Sequence, residues 1–368
     1  MDAKLSPNQG LSIINGIGLV SLLGVGLGVS ALILDGIANR MPWQGMSLTL
    51  PLLFCAVASA AVGFWAVPLL QALKTGQIIR EDGPQAHLKK AGTPTMGGIF
   101  FVPVSVISAC IWSNFATEVL AVAALTLSYG LIGWIDDWQI LRRKSNKGIS
   151  PRMKLILQVT FAVAFCVWLL ISHPAHNVTN IALPFGFYIP LGLLFWPLAG
   201  FVLVAESNAT NLTDGIDGLA GGTVAIALLA LGALVAPTSP GLMVFCASLS
   251  GGCLGFLVHN RNPARVFMGD TGSLALGGAL AAVALLANSL VGLFILSGIF
   301  FVETLSVMAQ VSYYKATKGP DGKGKRLLKM APLHHHLELS GWSELQVVAV
   351  FYIISAILAV IALTIGQF

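Results

Sequence analysis

Long apolar runs alternate with short polar segments along the whole chain. Eleven of these runs are long enough to cross the roughly 30 Å hydrocarbon core of a bilayer as helices. They lie near 13–37, 49–73, 96–112, 117–135, 153–172, 185–204, 219–236, 241–258, 272–288, 290–312 and 345–366. The pattern predicts an all-α protein, a polytopic transmembrane helical bundle of about 11 spans. Its shortest divisions are the hinges at Asn288 and at 237–240.

Composition supports this interpretation. Of the 368 residues, 56% are hydrophobic and only 10% are charged, whereas about a quarter of the residues in a soluble domain carry charge. The first apolar run is longer than the hydrophobic region of a signal peptide and has only Lys4 before it, so we interpret it as a retained span. All five cysteines lie in apolar runs without the spacing of metal ligands, which indicates small buried side chains.

The basic residues give the orientation. If the N-terminus is cytoplasmic, 19 of the 20 lysine and arginine residues fall on the cytoplasmic side, and only Arg40 falls outside. This asymmetry follows the positive-inside rule. We therefore predict a multi-pass protein with its N-terminus cytoplasmic and its C-terminus external. The net charge of +5 is mainly a topology signal, and we expect no nucleic-acid partner.

Aspartates stand at the apolar border of three cytoplasmic loops. Asp136 and Asp137 lie in GWIDDW, Asp214 and Asp217 lie in NLTDGIDG, and Asp270 lies in GDTG. Helix ends require polar residues for capping and solvation, so a purely structural role is open for any one of them. A structural role explains the whole set less well, because each aspartate has a glycine, an asparagine or another aspartate nearby.

Carboxylates, lysines and glycine-rich turns on one membrane face suit phosphoryl transfer. Mg²⁺ prefers oxygen ligands and commonly binds one or two carboxylates together with substrate phosphates. Lysine side chains and the N–H groups of glycine turns neutralise phosphate oxygens. The turn at 269–272, which opens a predicted helix, is the candidate corner for metal and phosphate. A P-loop ATPase is unsupported, because the chain lacks G-x-x-x-x-G-K-[ST].

Three consecutive histidines, at 334–336, raise the possibility of a zinc site. Successive helical positions differ by about 100°, so three adjacent side chains cannot share one face. No cysteine or H-E-x-x-H pattern lies nearby. Hydrogen bonding of these imidazoles to the phosphates of a nucleotide is the preferred interpretation.

Five stretches of the chain carry a family resemblance. In order, they are DGPQAHLKKAGTPTMGG, GWIDDW, NATNLTDGIDGLAGG, FMGDTGSLALGG and KMAPLHHHLELSGWSE. They resemble the signatures of the phospho-N-acetylmuramoyl-pentapeptide transferases, within the polyprenyl-phosphate N-acetylhexosamine-1-phosphate transferase superfamily. The aspartate stretches are typical of the superfamily, whereas GTPTMGG and APLHHHLELSGW point to the muramoyl members. The resemblance runs from about residue 74 to residue 366.

This resemblance implies an enzyme of the bacterial inner (plasma) membrane with its active site on the cytoplasmic face. The implied reaction transfers phospho-MurNAc-pentapeptide from UDP-MurNAc-pentapeptide to undecaprenyl phosphate, giving lipid I and UMP, with Mg²⁺ (magnesium) as the cofactor. It is the first membrane step of peptidoglycan synthesis. We expect direct attack by the lipid phosphate on the β-phosphate, with a two-step path through a phosphorylated aspartate as the alternative.

The same resemblance implies roles for individual residues. Asp270 matches the metal-binding aspartate, and Asp136 and Asp137 match the paired aspartates that meet the lipid phosphate. Asp214 matches a further catalytic position. The positions expected to bind substrate are Lys90, Thr95, Asn211, Asp217, Asn260, Phe267, His334 and His335.

The chain departs from the family pattern in two places. Many members have D-D-x-x-K, but Ile140 stands where the lysine is expected, and Arg142, Arg143 and Lys147 are the candidate replacements. The family core usually has ten spans, so we divide the chain into an extra N-terminal span with its external loop, 1–48, and a transferase membrane domain, 49–368. The 315–329 stretch also looks longer than usual. Glu303, inside an apolar run, is predicted to be a hydrogen-bonded packing residue.

Two other functions are considered. A sister enzyme that transfers GlcNAc-1-phosphate from UDP-GlcNAc to a polyprenyl phosphate would keep the aspartates and change the sugar pocket. A transporter would place ionisable residues near the membrane midplane, whereas nearly every charge here lies at the cytoplasmic border. The oligomeric state is open, with a homodimer as one alternative.

Overall fold

The computed structural model describes residues 15–73, 90, 92–143, 148–173 and 178–366. The helices are α1 (Gly16–Ile37), α2 (Thr49–Ala72), α3 (Gly98–Trp112), α4 (Thr117–Arg143), α5 (Pro151–Ser172), α6 (Phe195–Thr213), α7 (Leu219–Val235), α8 (Pro240–Asn260), α9 (Gly269–Leu286), α10 (Leu290–Leu296), α11 (Gly298–Ala316), α12 (Leu333–Leu339) and α13 (Glu344–Ile365). The strands β1 (Asn180–Ala182) and β2 (Tyr188–Pro190) form a small antiparallel hairpin between α5 and α6, with Asn180 opposite Pro190. The predicted helical membrane architecture is confirmed.

The predicted runs correspond to helices of three kinds within the described residues. Eight are long and apolar enough to cross a membrane. The run at 290–312 is divided into two helices, because α10 and α11 bend by 67° at Ser297. The remaining two, α3 and α7, are apolar but have only 15 and 17 residues. A short helix can still be part of a membrane bundle where neighbouring helices bury it, as they do for α7.

The loops after α4 and α6 begin later in the chain than the ends of the apolar runs predicted. Helix α4 runs to Arg143, so Asp136 and Asp137 lie within it, about two turns before its end, and not at the helix end as expected. Helix α6 runs to Thr213, past the predicted end of its apolar run near 204, and Glu206 lies inside it with 2% exposure. Both helices continue past these carboxylates because Asp136, Asp137 and Glu206 are buried against protein.

Helices α8 and α9 form the buried centre of the bundle. Helix α8 packs against α2, α3 and α7, and α9 packs against α4 and α6. The packing is close, because a Cβ added at Gly251 on α8 would overlap the Leu52 carbonyl of α2. Small residues at such contacts allow helix backbones to approach within van der Waals distance in membranes.

Helix α1 lies at the edge of the bundle. One stripe of it is buried (Gly16, Leu19, Leu27, Ala31 and Asp35), and the opposite side is exposed and apolar. Its first turn reaches the loop after α8, which belongs to the face that carries the aspartates. The end of α13, at Gly366, contacts Leu234 near the end of α7, on the opposite face. The ends of the described chain therefore lie on opposite faces. The division at residue 48 stays a prediction.

Candidate active site at the N-terminus of helix α9

The N-terminus of α9 is the centre of the site. Helix α9 begins at Gly269, and the first N–H groups of any helix lack partners within the helix. Asp137 accepts hydrogen bonds from Asp270 N (3.2 Å), Thr271 N (3.1 Å) and Thr271 Oγ1 (2.6 Å). Asp214 accepts one from Gly269 N. Two carboxylates from other parts of the chain therefore cap the helix that carries Asp270.

Two glycines allow this arrangement. Gly133 lies where α4 crosses α9, and a Cβ there would overlap the main chain of Asp270. Gly269 has a φ of +71°, which glycine adopts without the strain that other residues incur. A Cβ at Gly269 would also lie 2.5 Å from Asp137 Oδ2 and 2.8 Å from Thr95 Oγ1. The glycine of the GDTG motif is therefore required both by its backbone conformation and by the space around it.

Asp270 contacts three other polar side chains of the site. Its Oδ1 accepts a hydrogen bond from Asn211 Nδ2 (2.7 Å), and its Oδ2 forms an ion pair with Lys154 Nζ. The carboxylate of Asp136 lies within hydrogen-bonding reach of it and also accepts a bond from Ile149 N (2.7 Å). Asp136, Asp270, Asn211 and Lys154 thus converge from four helices.

Lys154, at the start of α5, is the cation that lies beside Asp270, and it is not among the residues predicted to replace the lysine that is absent at Ile140. Of the residues considered for that role, Arg143 donates instead to the Gly148 carbonyl at 3.1 Å, and Lys147 lies outside the described residues. Sequence spacing could not identify Lys154, because its carboxylate partner is 116 residues away. Its position at the apolar border of α5 was the available signal.

A second cluster surrounds Lys90. Its Nζ lies 2.8 Å from Asp217 Oδ1 and 2.7 Å from Glu344 Oε1. Asn262 Nδ2 donates to Glu344 Oε2 (2.6 Å) and to Asp217 Oδ2 (3.2 Å), and Ala264 N donates to the same Asp217 oxygen (2.9 Å). One lysine thus lies between two carboxylates, and an asparagine links those carboxylates. Sequence analysis did not single out Asn262 or Glu344, although Glu344 opens α13 beside the Ser343 capping box.

The two loop aspartates have raised pKa values. Burial, together with the negative charges of Asp270 and Asp217, raises the pKa of Asp214 to about 7. Burial also raises the pKa of Asp217, and the positive charge of Lys90 opposes that shift. Burial is thus the main cause of both shifts, and the negative charges of neighbouring carboxylates add to it.

Three of the predicted substrate-binding residues make contacts within the protein that support the site. Asn260 accepts a hydrogen bond from Gly218 N (2.9 Å) and donates one to the Val266 carbonyl (2.8 Å), so both ends of its amide are used internally. Thr95 is buried against Gly269. The main chain of Phe267 pairs with the 94–98 segment, while its side chain is half-buried. Their substrate contacts stay predictions.

The histidines take separate partners. His334 Nδ1 lies 3.0 Å from Glu303 Oε2, and His334 N donates to Glu303 Oε1 (3.2 Å), with both side chains fully buried. His334 Nε2 has no hydrogen-bond partner and contacts Gly215. His335 Nδ1 pairs with Glu338 Oε2 at 2.8 Å. Glu303, interpreted from sequence as a packing residue, thus orients a candidate site residue. Among the described residues no group of three histidine, cysteine, aspartate or glutamate side chains is placed to hold a metal ion alone.

Comparison with known proteins shows which family the chain belongs to. Residues 119–288 match the family described as "Glycosyl transferase family 4", and residues 90–102 match "Phospho-N-acetylmuramoyl-pentapeptide-transferase signature 1". The chain is 83% identical to the phospho-N-acetylmuramoyl-pentapeptide-transferase of Trichormus variabilis, with 100% of both chains covered. It is 83% identical to that of a Nostoc species (100% and 99% covered) and 64% identical to that of Rippkaea orientalis (98% and 99% covered). The chain belongs to the phospho-N-acetylmuramoyl-pentapeptide-transferase family.

Proposed function

We propose that this membrane enzyme transfers phospho-MurNAc-pentapeptide from UDP-MurNAc-pentapeptide to undecaprenyl phosphate, giving lipid I and UMP. The name of relatives that are 83% identical over the whole chain supports the reaction. The observation that carries the proposal is the convergence of Asp136, Lys154 and Asn211 on Asp270, beside the Lys90 cluster. The proposal places the enzyme in the bacterial plasma membrane, with the N-terminus and the aspartates on the cytoplasmic side.

The donor end of the site provides positive charge for a pyrophosphate. The side chain of Lys90 is 16% exposed, and its Nζ is held by Asp217 and Glu344. Lysine acts as a mobile point charge toward phosphate, so we propose that Lys90 moves from these carboxylates to the pyrophosphate when the nucleotide binds. The imidazole of His334 is buried with its Nε2 unpaired beside Gly215, and it is proposed to contact the nucleotide once nucleotide binding exposes it. Asp217 and Glu344 would then keep Lys90 at the edge of the site until the substrate arrives.

The acceptor end provides carboxylates at the membrane border. The N-terminus of α9 would normally attract an anion, but Asp137 and Asp214 already cap it. The next carboxylates, Asp270 and Asp136, lie within hydrogen-bonding reach of each other. Two carboxylates that close are stable with a shared proton or with a cation beside them.

This donor set fits Mg²⁺, which binds one or two carboxylates and completes its shell with substrate phosphates and water. We propose Asp270 as the main ligand with Asp136 beside it, and Lys154 as the cation that balances their charge. When bound, the metal neutralises charge on the pyrophosphate oxygens. The residues of the chain would position the two phosphates.

An apolar groove between α5 and α6 suits the lipid chain. It has a volume of about 590 Å³ and opens on the side of the bundle. Its walls include Val159, Leu170, Trp196 and Phe201, and its α5 wall begins just over one turn beyond Lys154. We propose that the polyprenyl chain lies in this groove. An oxygen of the lipid phosphate then bonds to the β-phosphorus, the bond from that phosphorus to the bridging oxygen breaks, and UMP leaves.

The test is UMP release by the purified protein in detergent, with both substrates, with and without Mg²⁺. The wild type should release UMP only when undecaprenyl phosphate and Mg²⁺ are both present. Asp270→Asn should abolish release, whereas Asp321→Asn, in an exposed loop, should retain it. Turnover with UDP-GlcNAc in place of the muramoyl donor would indicate the sister transferase. If the protein releases no UMP in detergent but takes up substrate when it is placed in vesicles, it is a transporter. Light scattering on the same sample tests the homodimer.

A further inference from the structure

Helix α1 directly contacts the loop that carries Asn262. Gly16, the first residue of α1, is buried, and a Cβ there would overlap the Asn262 carbonyl oxygen and lie 3.1 Å from its carbonyl carbon. The atoms that meet Gly16 belong to the main chain, so no side-chain rotation can relieve an overlap. The start of α1 and this loop therefore pack so closely that residue 16 has no room for a side chain.

The contact lies directly behind the Lys90 cluster. The side chain of Asn262 links Glu344 and Asp217, the two carboxylates that hold Lys90. Ala264, two residues further on, donates its N–H to Asp217 Oδ2 at 2.9 Å. A displacement of the Asn262 main chain would therefore change the spacing of Asp217 and Glu344, and with it the position of Lys90.

The other end of α1 is fixed to the bundle. Asp35 is fully buried and accepts hydrogen bonds from Arg40 Nε (2.9 Å), Thr49 N (2.9 Å) and Thr49 Oγ1 (2.8 Å). It also accepts one from Leu48 N (3.0 Å) and so caps the start of α2. With 22 residues, α1 is about 33 Å long, enough to reach from one face of the bundle to the other. The helix is thus held at both ends.

We propose that α1 is a functional part of the nucleotide-binding site, with Gly16 as a positioning residue that sets the Asn262 turn and through it the Lys90 cluster. The inference rests on the proposed function for its kinetic readout. It assigns to the extra N-terminal helix a role in binding the nucleotide-sugar donor, separate from the Asp136–Asp270 corner. Binding of the lipid acceptor should not depend on this contact.

The test compares Gly16→Ala with Gly26→Ala in the full-length protein. The two substitutions are chemically identical and lie in the same helix, but no atom lies within 4 Å of a Cβ at Gly26. We expect Gly16→Ala to raise the KM for UDP-MurNAc-pentapeptide about tenfold or more and to leave the KM for undecaprenyl phosphate unchanged. Gly26→Ala should match the wild type in both. Equal donor KM values for the two variants would overturn the proposal.

A second measurement does not depend on turnover. Hydrogen exchange at the Ala264 amide should accelerate in Gly16→Ala and stay at the wild-type rate in Gly26→Ala, because only the first displaces the bond to Asp217. An unchanged rate would also overturn the inference, whereas lack of turnover in the wild type would overturn only the proposed function. If Gly16→Ala does not fold, Asp35→Asn, which loosens the distant end of α1, should raise the donor KM in the same direction. No change in that variant would count against α1.

Discussion

Replacing Asp137 by alanine removes one of the two carboxylates that cap α9 and leaves the other site residues unchanged. Asp137 is 4% exposed, and it accepts bonds of 3.2, 3.1 and 2.6 Å from Asp270 and Thr271. Loss of a helix cap costs about 0.5–2 kcal/mol, and a hydrogen bond to a charged group contributes about 1.5–3 kcal/mol. The cap consists of these same hydrogen bonds, so the two contributions overlap and are not added in full. We therefore expect the first turn of α9 to lose about 2–4 kcal/mol of local stability.

Hydrogen exchange measures this loss directly. A change of 1.36 kcal/mol is tenfold in an equilibrium constant, so the amides of Asp270 and Thr271 should exchange about 30- to 900-fold faster in Asp137→Ala. Asp136→Ala is the matched control, because Asp136 contacts the carboxylate of Asp270 instead of these amides. UMP release should fall in both variants, but the exchange rate should change only in Asp137→Ala.

These hydrogen bonds give Asp137 a positioning role, whereas the family resemblance implies direct contact with the lipid phosphate. Thr271→Val offers an intermediate case, because it removes only the 2.6 Å hydroxyl bond and should reduce activity by a smaller factor. Loss of activity in Asp137→Ala with unchanged exchange at Asp270 and Thr271 would refute the reasoning. The carboxylate would then act on a substrate group.

Three further predictions concern other contacts of the site. Lys154→Met should lower UMP release at least about 100-fold, because it leaves Asp270 beside Asp136 without a cation. Arg152→Met, on the exposed side of the same turn, should have almost no effect on UMP release. Equal losses in the two variants would contradict the role of Lys154 as the cation beside Asp270. Gly269→Ala should reduce activity at least about tenfold, because its Cβ would lie 2.5 Å from Asp137 Oδ2. Gly341→Ala is the control for backbone strain alone, because Gly341 has a φ of +104° but no atom within 4 Å of an added Cβ. A similar loss of activity in Gly341→Ala would contradict the steric explanation. Glu303→Gln should raise the donor KM and change the tautomer of its histidine partner, visible in the ¹⁵N spectrum of the imidazole; an unchanged spectrum and KM would contradict a positioning role.

Much of the architecture could be predicted from local sequence. A stretch of 20 apolar residues can satisfy its backbone in a bilayer only as a helix or in a closed barrel, so hydropathy alone indicates the spans. The break near Ser297 is different. Ser297 Oγ donates to Glu206 Oε1 at 2.7 Å, and this buried pair marks where α10 and α11 bend by 67°. The two residues are 91 positions apart, and hydropathy carries no information about such a contact.

The aspartate motifs and the histidine triplet were recognisable in the sequence because family motifs are short and contiguous. By itself the sequence determined the membrane class, the asymmetry of basic residues and the set of polar residues available to the site. The tertiary structure decided which of them meet: Asp137 turns toward α9, Lys154 neutralises Asp270, and Glu303 orients His334. These pairs depend on how each helix is rotated about its axis, and that rotation is set by close packing between helices that lie far apart in the chain.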